Sequence, residues 1–244
     1  MRLVEARRVI VAGAVAERAA RAVSPGESVI ISGPPTRFVG RGAEKLDAAL
    51  DGFGLDVVGR RAIDVGASTG GFTDCLLQRG AAEVVAVDVG RGQLHERLRA
   101  DPRVVILERT DIRAVDPASL GAAFDLLVAD VSFISLVSVL PAMDSLVGTG
   151  ADVVVLVKPQ FEAGRAEASR GRGVIRDPQV RRRALGRVTS AMSSHGWAIM
   201  GVMVSPLTGA DGNVELLVHA QARTQGGCVT EADLDRVTLG EQGS

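Results

Sequence analysis

From residue 61 onward, short runs of Val, Ile and Leu alternate with stretches in which apolar residues recur at helical spacing. That alternation predicts β-α-β units and a mostly parallel sheet. The strand candidates are 61–65, 84–88, 103–107, 125–130, 152–158, 198–205 and 213–220. Most of the first five are nearly continuous in branched aliphatic residues, as expected of strands covered on both faces. Helical patterns at 42–52, 71–80, 93–100, 136–147 and 178–195 supply the cover. The last two strands have no helix between them. Their connector, residues 205–212, carries Pro206, Gly209, Asp211 and Gly212, so the economical arrangement is an antiparallel hairpin at one edge. The predicted fold class is therefore α/β, a Rossmann-like, mostly parallel sheet ending in a C-terminal antiparallel hairpin.

Before residue 36 the pattern changes. Residues 3–11 read as a helix, 29–32 as a strand and 33–35 as a linker, and about thirty residues are too few for an independent core. After residue 224 the chain turns polar and acidic and reads as a frayed or weakly helical tail. The resulting layout is a small module at 1–33, a linker at 34–40, a main domain at 41–222 and a flexible acidic tail at 223–244.

Composition narrows the picture. A chain of 244 residues that is 46% hydrophobic and 23% charged can bury one full-sized core with little left over. Aromatics make up 3%, with no Tyr and one Trp, so stacking platforms for single-stranded nucleic acid are scarce. The net charge of −1 is neutral on partners, but its distribution is uneven. Residues 1–41 hold seven Arg against three Glu, and residues 162–187 hold eight Arg against Glu162, Glu167 and Asp177. The two cysteines, Cys75 and Cys228, are too few for a disulfide framework, and no C-x-x-C or His cluster suggests a metal. No secretory leader or long apolar run is present, which predicts a cytoplasmic protein with no membrane partner.

Candidate chemistry begins where the first strand of the main domain passes into a helix, at Asp64-Val-Gly66-Ala-Ser68-Thr69-Gly70-Gly71-Phe72. Backbone N–H groups at such a turn face a ligand at the helix N-terminus, and Gly permits the close approach. Asp88 ends the next strand, where a carboxylate suits the hydroxyls of an adenosine ribose. A dinucleotide G-x-G-x-x-G would need Gly at position 68, which is Ser. A nucleophile elbow G-x-S-x-G matches residues 66–70 but lacks a glycine-rich oxyanion segment. A plain strand-to-helix turn is the remaining alternative, and adenosylmethionine is the best-suited ligand.

Of the 28 basic residues, 26 are Arg; only Lys45 and Lys158 are Lys. Arg cannot give up its proton in a protein, whereas Lys can when burial or a neighbouring cation depresses its pKa. Lys158 and Asp130 end consecutive strand candidates and so project from the carboxyl edge where ligands of open α/β sheets bind. Lys45 is on the helix entering the domain and Glu215 on the last strand. A structural ion pair between Lys158 and Asp130, with ordinary surface charges at the other two, is the bland alternative.

The segments Arg41-Gly-Ala-Glu-Lys45-Leu, Asp64 to Asp74, Asp88-Val-Gly-Arg-Gly-Gln-Leu94, Ala129-Asp130-Val-Ser-Phe-Ile-Ser-Leu136, Val157-Lys158-Pro-Gln-Phe-Glu162, Gly171-Arg-Gly-Val-Ile-Arg-Asp177 and Gly212-Asn-Val-Glu215 follow one another in order. Together they make the chain from 41 to about 221 resemble the TlyA family, ribosomal-RNA 2′-O-methyltransferases often labelled haemolysin A and similar to FtsJ-like ribose methyltransferases. The resemblance implies a class I methyltransferase fold, S-adenosyl-L-methionine as cofactor, and ribosomal RNA or a ribosomal subunit as partner. It maps a Lys-Asp-Lys-Glu catalytic set onto Lys45, Asp130, Lys158 and Glu215. Lys158, kept neutral near Lys45, would take the 2′-hydroxyl proton without a metal, and Asp130 and Glu215 would orient its amine. It places the cofactor along Asp64, Gly66, Ser68, Thr69, Gly70, Phe72, Asp88 and Asp111, with Asp111 meeting the adenine amino group. Two departures stand out. Residues 1–33 match only the second half of the small RNA-binding domain that usually opens the family, and Asp111 stands after Thr110 where Asn is expected.

Two other classes compete. A small-molecule O-methyltransferase would share the cofactor site but close an apolar pocket over its substrate, whereas Arg165, Arg170, Arg172 and Arg176 lie next to the proposed base, where phosphates would pass. A non-enzymatic RNA-binding or haemolysin-like protein retaining the fold would tolerate changes at Lys158.

Overall fold

The computed structural model describes residues 2–5, 7–33, 37–164, 167, 169 and 171–240. Two compact units divide the chain, residues 1–37 and 38–244.

The first unit opens with a short helix α1 (Arg2–Glu5) and continues as three strands, β1 (Val9–Val11), β2 (Ala14–Val15) and β3 (Val29–Ile31), in the antiparallel order β2-β1-β3. The helix expected over 3–11 is thus replaced by a strand in its second half. Ala12 and Gly13 both take positive φ (48° and 83°), the two-residue hairpin geometry that matches strand twist. A short continuous apolar run such as Val9-Ile-Val11 carries no period of its own, so the turn, not the run, decided the outcome.

In the second unit a seven-stranded sheet has the order β6-β5-β4-β7-β8-β10-β9. Its strands are β4 (Arg61–Val65), β5 (Glu83–Asp88), β6 (Val104–Glu108), β7 (Phe124–Ala129), β8 (Val147–Val157), β9 (Ala198–Val204) and β10 (Leu216–Gln221). The pairings among β4 to β8 are parallel, while β10 runs antiparallel to both β8 and β9, as the turn-rich connector predicts. One face packs Phe72, Leu76, Leu126 and Leu156 under α2 (Gly42–Phe53) and α3 (Gly71–Gln78). The other packs Ile63, Leu127, Val155 and Trp197 under α5 (Leu136–Leu146) and a long helix, α7 (Pro178–Ser194). Short helices α4 (Glu96–Arg99) and α6 (Pro159–Glu162) follow β5 and β8. All five parallel strands therefore present their carboxyl ends at one edge, the place open α/β sheets reserve for ligands.

Two boundaries differ from the sequence reading. Residues 34–36 of the expected linker lie outside the described residues, but Phe38 is buried and the Val39 N–H donates to Asp74 at 2.8 Å, so the folded unit starts before residue 41. The expected flexible tail contains α8 (Glu231–Leu239), opened by a reciprocal Thr230–Asp233 capping box. It buries Leu234 and Thr238, and Arg182 of α7 reaches Glu231 and Asp235. A polar composition hid a helix whose docking uses few apolar positions.

Candidate active site

The turn after β4 crosses toward β5, because Gly66 N–H and Ala67 N–H both donate to the Val87 carbonyl, at 2.9 and 3.1 Å. Gly66 takes φ 86°, and a Cβ there would sit 2.7 Å from the Asp130 carbonyl oxygen, so only Gly lets the loops after β4 and β7 meet. Ser68 also has positive φ, which aims its N–H at Asp88 Oδ2, 2.7 Å away. The Gly90 N–H donates to Asp88 Oδ1 at 2.6 Å. The Asp88 carboxylate is thus fixed by two backbone donors and keeps acceptor capacity on both oxygens.

Beside it lies a cavity of about 530 Å³ whose lining includes Gly66, Ser68, Asp88, Asp111, Asp130 and Phe133. Its size and chemistry fit a nucleoside cofactor: a carboxylate for hydroxyls, a glycine turn for close approach, and apolar walls from Val87 and Ile112. Asp111 caps a 3₁₀ turn and pairs with Arg113 at 2.6 Å; hydrogen bonds from Arg113 side chain and backbone hold its carboxyl at about 2.

Four of the expected cofactor residues do not line this cavity. Asp64 is fully buried and accepts a 2.6 Å hydrogen bond from Thr73 Oγ1; burial pushes its carboxyl up to about 7, the Thr73 hydrogen bond opposing and the charges of Asp130 and Asp88 reinforcing the rise. Phe72 packs in the core against α2. Thr69 Oγ1 lies against Gly40. Gly70 starts α3 at φ 93°, and a Cβ there would overlap Leu94 and Leu98. These residues shape the turn from behind. Conversely, Gly90, Gln93, Thr110 and Phe133 line the cavity without having been singled out. For Gly90 a signal existed: Asp-x-Gly after a strand is an Asx turn.

The Lys-Asp-Lys-Glu set converges on the same edge. Lys158 follows β8 and precedes Pro159, which confines it to extended backbone (φ −107°, ψ 102°). Its Nζ lies 2.6 Å from Asp130 Oδ1 and donates to Ser132 Oγ at 2.7 Å. In the β8–β10 ladder Leu216 faces Val157, so Glu215 enters the strand opposite Lys158. Glu215, however, is bonded to Lys45, at 2.5 Å, and both are buried. The geometry gives each lysine its own carboxylate, where the sequence reading aimed both carboxylates at Lys158. Gly42, one helical turn before Lys45, abuts Asp130, which brings the two pairs to neighbouring positions.

Supporting contacts surround them. Buried Glu162 accepts from Ser135 Oγ at 2.5 Å and from the Leu136 N–H at 2.7 Å, and burial raises its carboxyl. Buried Asn213 accepts from the Ile175 N–H and donates to the Gly173 carbonyl, stapling the segment that carries exposed Arg172 and Arg176. Arg165 and Arg170 lie outside the described residues. Phe133 is 93% exposed, with φ 64°.

Comparison with known proteins places this geometry. The FtsJ-like methyltransferase family model matches residues 38–222. The 16S/23S rRNA (cytidine-2′-O)-methyltransferase TlyA of Mycobacterium tuberculosis is 48% identical over 91% of this chain and 83% of its own. Hemolysin A of Brachyspira hyodysenteriae is 40% identical over 75% of this chain and 76% of its own. A solved structure from Streptococcus thermophilus, provisionally labelled a hemolysin, superposes with a TM-score of 0.85 at 37% identity, covering 98% of this chain and 87% of that one. Among the described residues no helix is long and apolar enough to cross a membrane. The chain belongs to the FtsJ-like, S-adenosylmethionine-dependent methyltransferases, on their TlyA branch.

Proposed function

We propose that this protein methylates a ribose 2′-hydroxyl of ribosomal RNA, as the name of its Mycobacterium tuberculosis relative says of that protein, with Lys158 as general base. The observation that carries the reading is the Lys158 amine, held by Asp130 and Ser132 at the rim of the cavity that Asp88 anchors. When bound, S-adenosylmethionine supplies an electrophilic methyl group on a sulfonium. Gly66, Ser68, Asp88 and Asp111 are the residues that would hold it, Asp88 taking the ribose hydroxyls.

A ribose hydroxyl is a poor nucleophile until its proton leaves, and a positioned base contributes about 10²–10⁴-fold. Lys158 receives that proton, and Asp130 stabilises the ammonium that forms. Lys45, neutralised by Glu215, keeps a compact positive charge at the neighbouring position without adding net charge. The exposed ring of Phe133 at the mouth offers a face on which a nucleotide base can stack. The exposed Phe133 at the mouth and the exposed Arg172 and Arg176 on the stapled segment support a large, phosphate-bearing acceptor over a small one. Residues 1–33 are read as part of an RNA-binding module, helping to hold the substrate.

The test is mass-spectrometric mapping of methylated riboses in ribosomal RNA from cells expressing native protein, Lys158→Arg or none. Native protein should restore a methylated ribose and Lys158→Arg should not, with cofactor binding intact. Restoration by Lys158→Arg would remove the base from Lys158; no ribose change with native protein would reject ribosomal RNA as acceptor.

A further inference from the structure

We propose that Ser132 is a positioning residue for Lys158, fixing the rotation of its amine toward the acceptor hydroxyl; this rests on the reading of Lys158 as general base. A lysine nitrogen is tetrahedral. One direction is taken by Cε and one points to Ser132 Oγ at 2.7 Å, whereas Asp130 Oδ1, 2.6 Å away, is an ion-pair partner outside hydrogen-bond geometry. In the neutral amine the N–H donated to Ser132 is therefore the directional contact that sets the rotation about Cε–Nζ, and with it where the lone pair can lie. With Asp130 alone the amine would be free to rotate about Cε–Nζ and point its lone pair elsewhere.

The loop that carries Ser132 is built to hold it in place. At one end the Asp130 N–H donates to the Val65 carbonyl at 3.0 Å. At the other, Ser135 caps α5, and Ser135 Oγ and the Leu136 N–H both donate to Glu162. Glu162 lies on α6, four residues beyond Lys158, so one buried carboxylate ties the acceptor loop to the segment of the base. Between these anchors Phe133 takes φ 64°, the sharp reversal that follows Ser132. Ser132 is itself exposed and lines the cofactor cavity, so its hydroxyl is spent on the amine and not on core packing.

The acceptor type also suits the task. A hydroxyl accepts from the amine in either protonation state without a charge of its own, so it orients Lys158 while stabilising the ammonium less than a second carboxylate would. Charged side chains on the surrounding elements include Asp130 beyond β7, Asp64 of β4 behind it, Glu162 on α6 with Arg187 of α7, and the Lys45–Glu215 pair between α2 and β10.

The composition of this chain makes the idea directly measurable, because it has two lysines. Protein labelled with ¹³C,¹⁵N-lysine gives two side-chain signals, and Lys158→Arg assigns them by removing one. Ser132→Ala, Ser132→Thr and native protein would be compared by titrating the Lys158 signal, by single-turnover methyl transfer from S-adenosylmethionine to unmodified ribosomal subunits, and by cofactor and subunit binding. In Ser132→Ala the loss of an acceptor should move the Lys158 titration to lower pH, and the misaligned amine should slow transfer on the order of 10–100-fold with binding unchanged. Ser132→Thr should restore both. An unmoved Lys158 titration, or a native transfer rate in Ser132→Ala, would overturn the proposal. Near-native transfer by Lys158→Arg would instead overturn the reading beneath it, whatever Ser132 does.

Discussion

The two sides of the carboxyl edge treat their acids differently. On the cofactor side, Asp88 is held by the backbone N–H groups of Ser68 and Gly90 and Asp64 by the Thr73 hydroxyl, and only Asp111, among the acids described there, pairs with a cation, Arg113. On the acceptor side, Asp130 and Glu215 each hold a lysine, at 2.6 and 2.5 Å. The cofactor is itself a cation, and the carboxylate of Asp88, bonded to neutral donors, is complementary to it. On the proposed reading the acceptor is a polyanion, and that side carries positive charge of its own on Lys45 and Lys158, each balanced by a carboxylate.

The acceptor side is where the comparison can be broken most severely. Lys45→Ala leaves Glu215 buried and unpaired, and removing one partner of a buried pair costs about 3–5 kcal/mol. Lys158→Ala should cost less, since Asp130 is 22% exposed in its side chain and can rehydrate. Urea unfolding of the three proteins measures both. Equal losses would mean that the two pairs are equivalent supports and that Lys158 is not set apart for chemistry.

On the cofactor side the corresponding lever is pH. Burial raises the Asp64 carboxyl from 3.8 to about 7, so the native state keeps a proton that the unfolded chain releases. That proton favours folding most fully below the unfolded pKa; stability falls as pH rises from about 4 to about 7 and levels off above. The slope from one proton is at most about 1.4 kcal/mol per pH unit. Asp64→Asn stays neutral throughout and should flatten this part of the stability–pH curve. An identical slope in the variant would assign the proton to another group.

How much of this was legible beforehand depends on what carries the signal. The five parallel strands were, because each is a run of branched aliphatics bounded by turns, and so was the convergence of Asp130 and Lys158, because both end such runs. The lysine count pointed to two positions, because a chain that otherwise uses Arg marks its exceptions, and the structure brings both to the carboxyl edge in ion pairs. Pairing was not legible, since whether Glu215 meets Lys45 or Lys158 depends on the angle of α2 over the sheet. Nor was the inward turn of Thr69, Gly70 and Phe72, where a ligand-binding motif and a helix-packing motif share the same letters. Ser132 gives no signal within the segment 129–136, because a lone Ser has no period and no charge to betray its partner.

The smallest effect expected is also the sharpest test of the cofactor side. Asp88→Ala removes the acceptor placed for the ribose hydroxyls, and losing hydrogen bonds to a charged group costs about 1.5–3 kcal/mol, roughly a 10–150-fold weaker Kd for S-adenosylmethionine by calorimetry. The same substitution also deprives the Ser68 and Gly90 N–H groups of their partner, so a loss of affinity alone could report a collapsed turn. A cofactor analogue lacking both ribose hydroxyls separates the two causes. If Asp88 binds those hydroxyls, the native protein should bind the analogue nearly as weakly as Asp88→Ala does, and the variant should barely distinguish analogue from cofactor. If the variant still prefers the hydroxylated cofactor by the native margin, the ribose is held elsewhere and Asp88 serves only the loop.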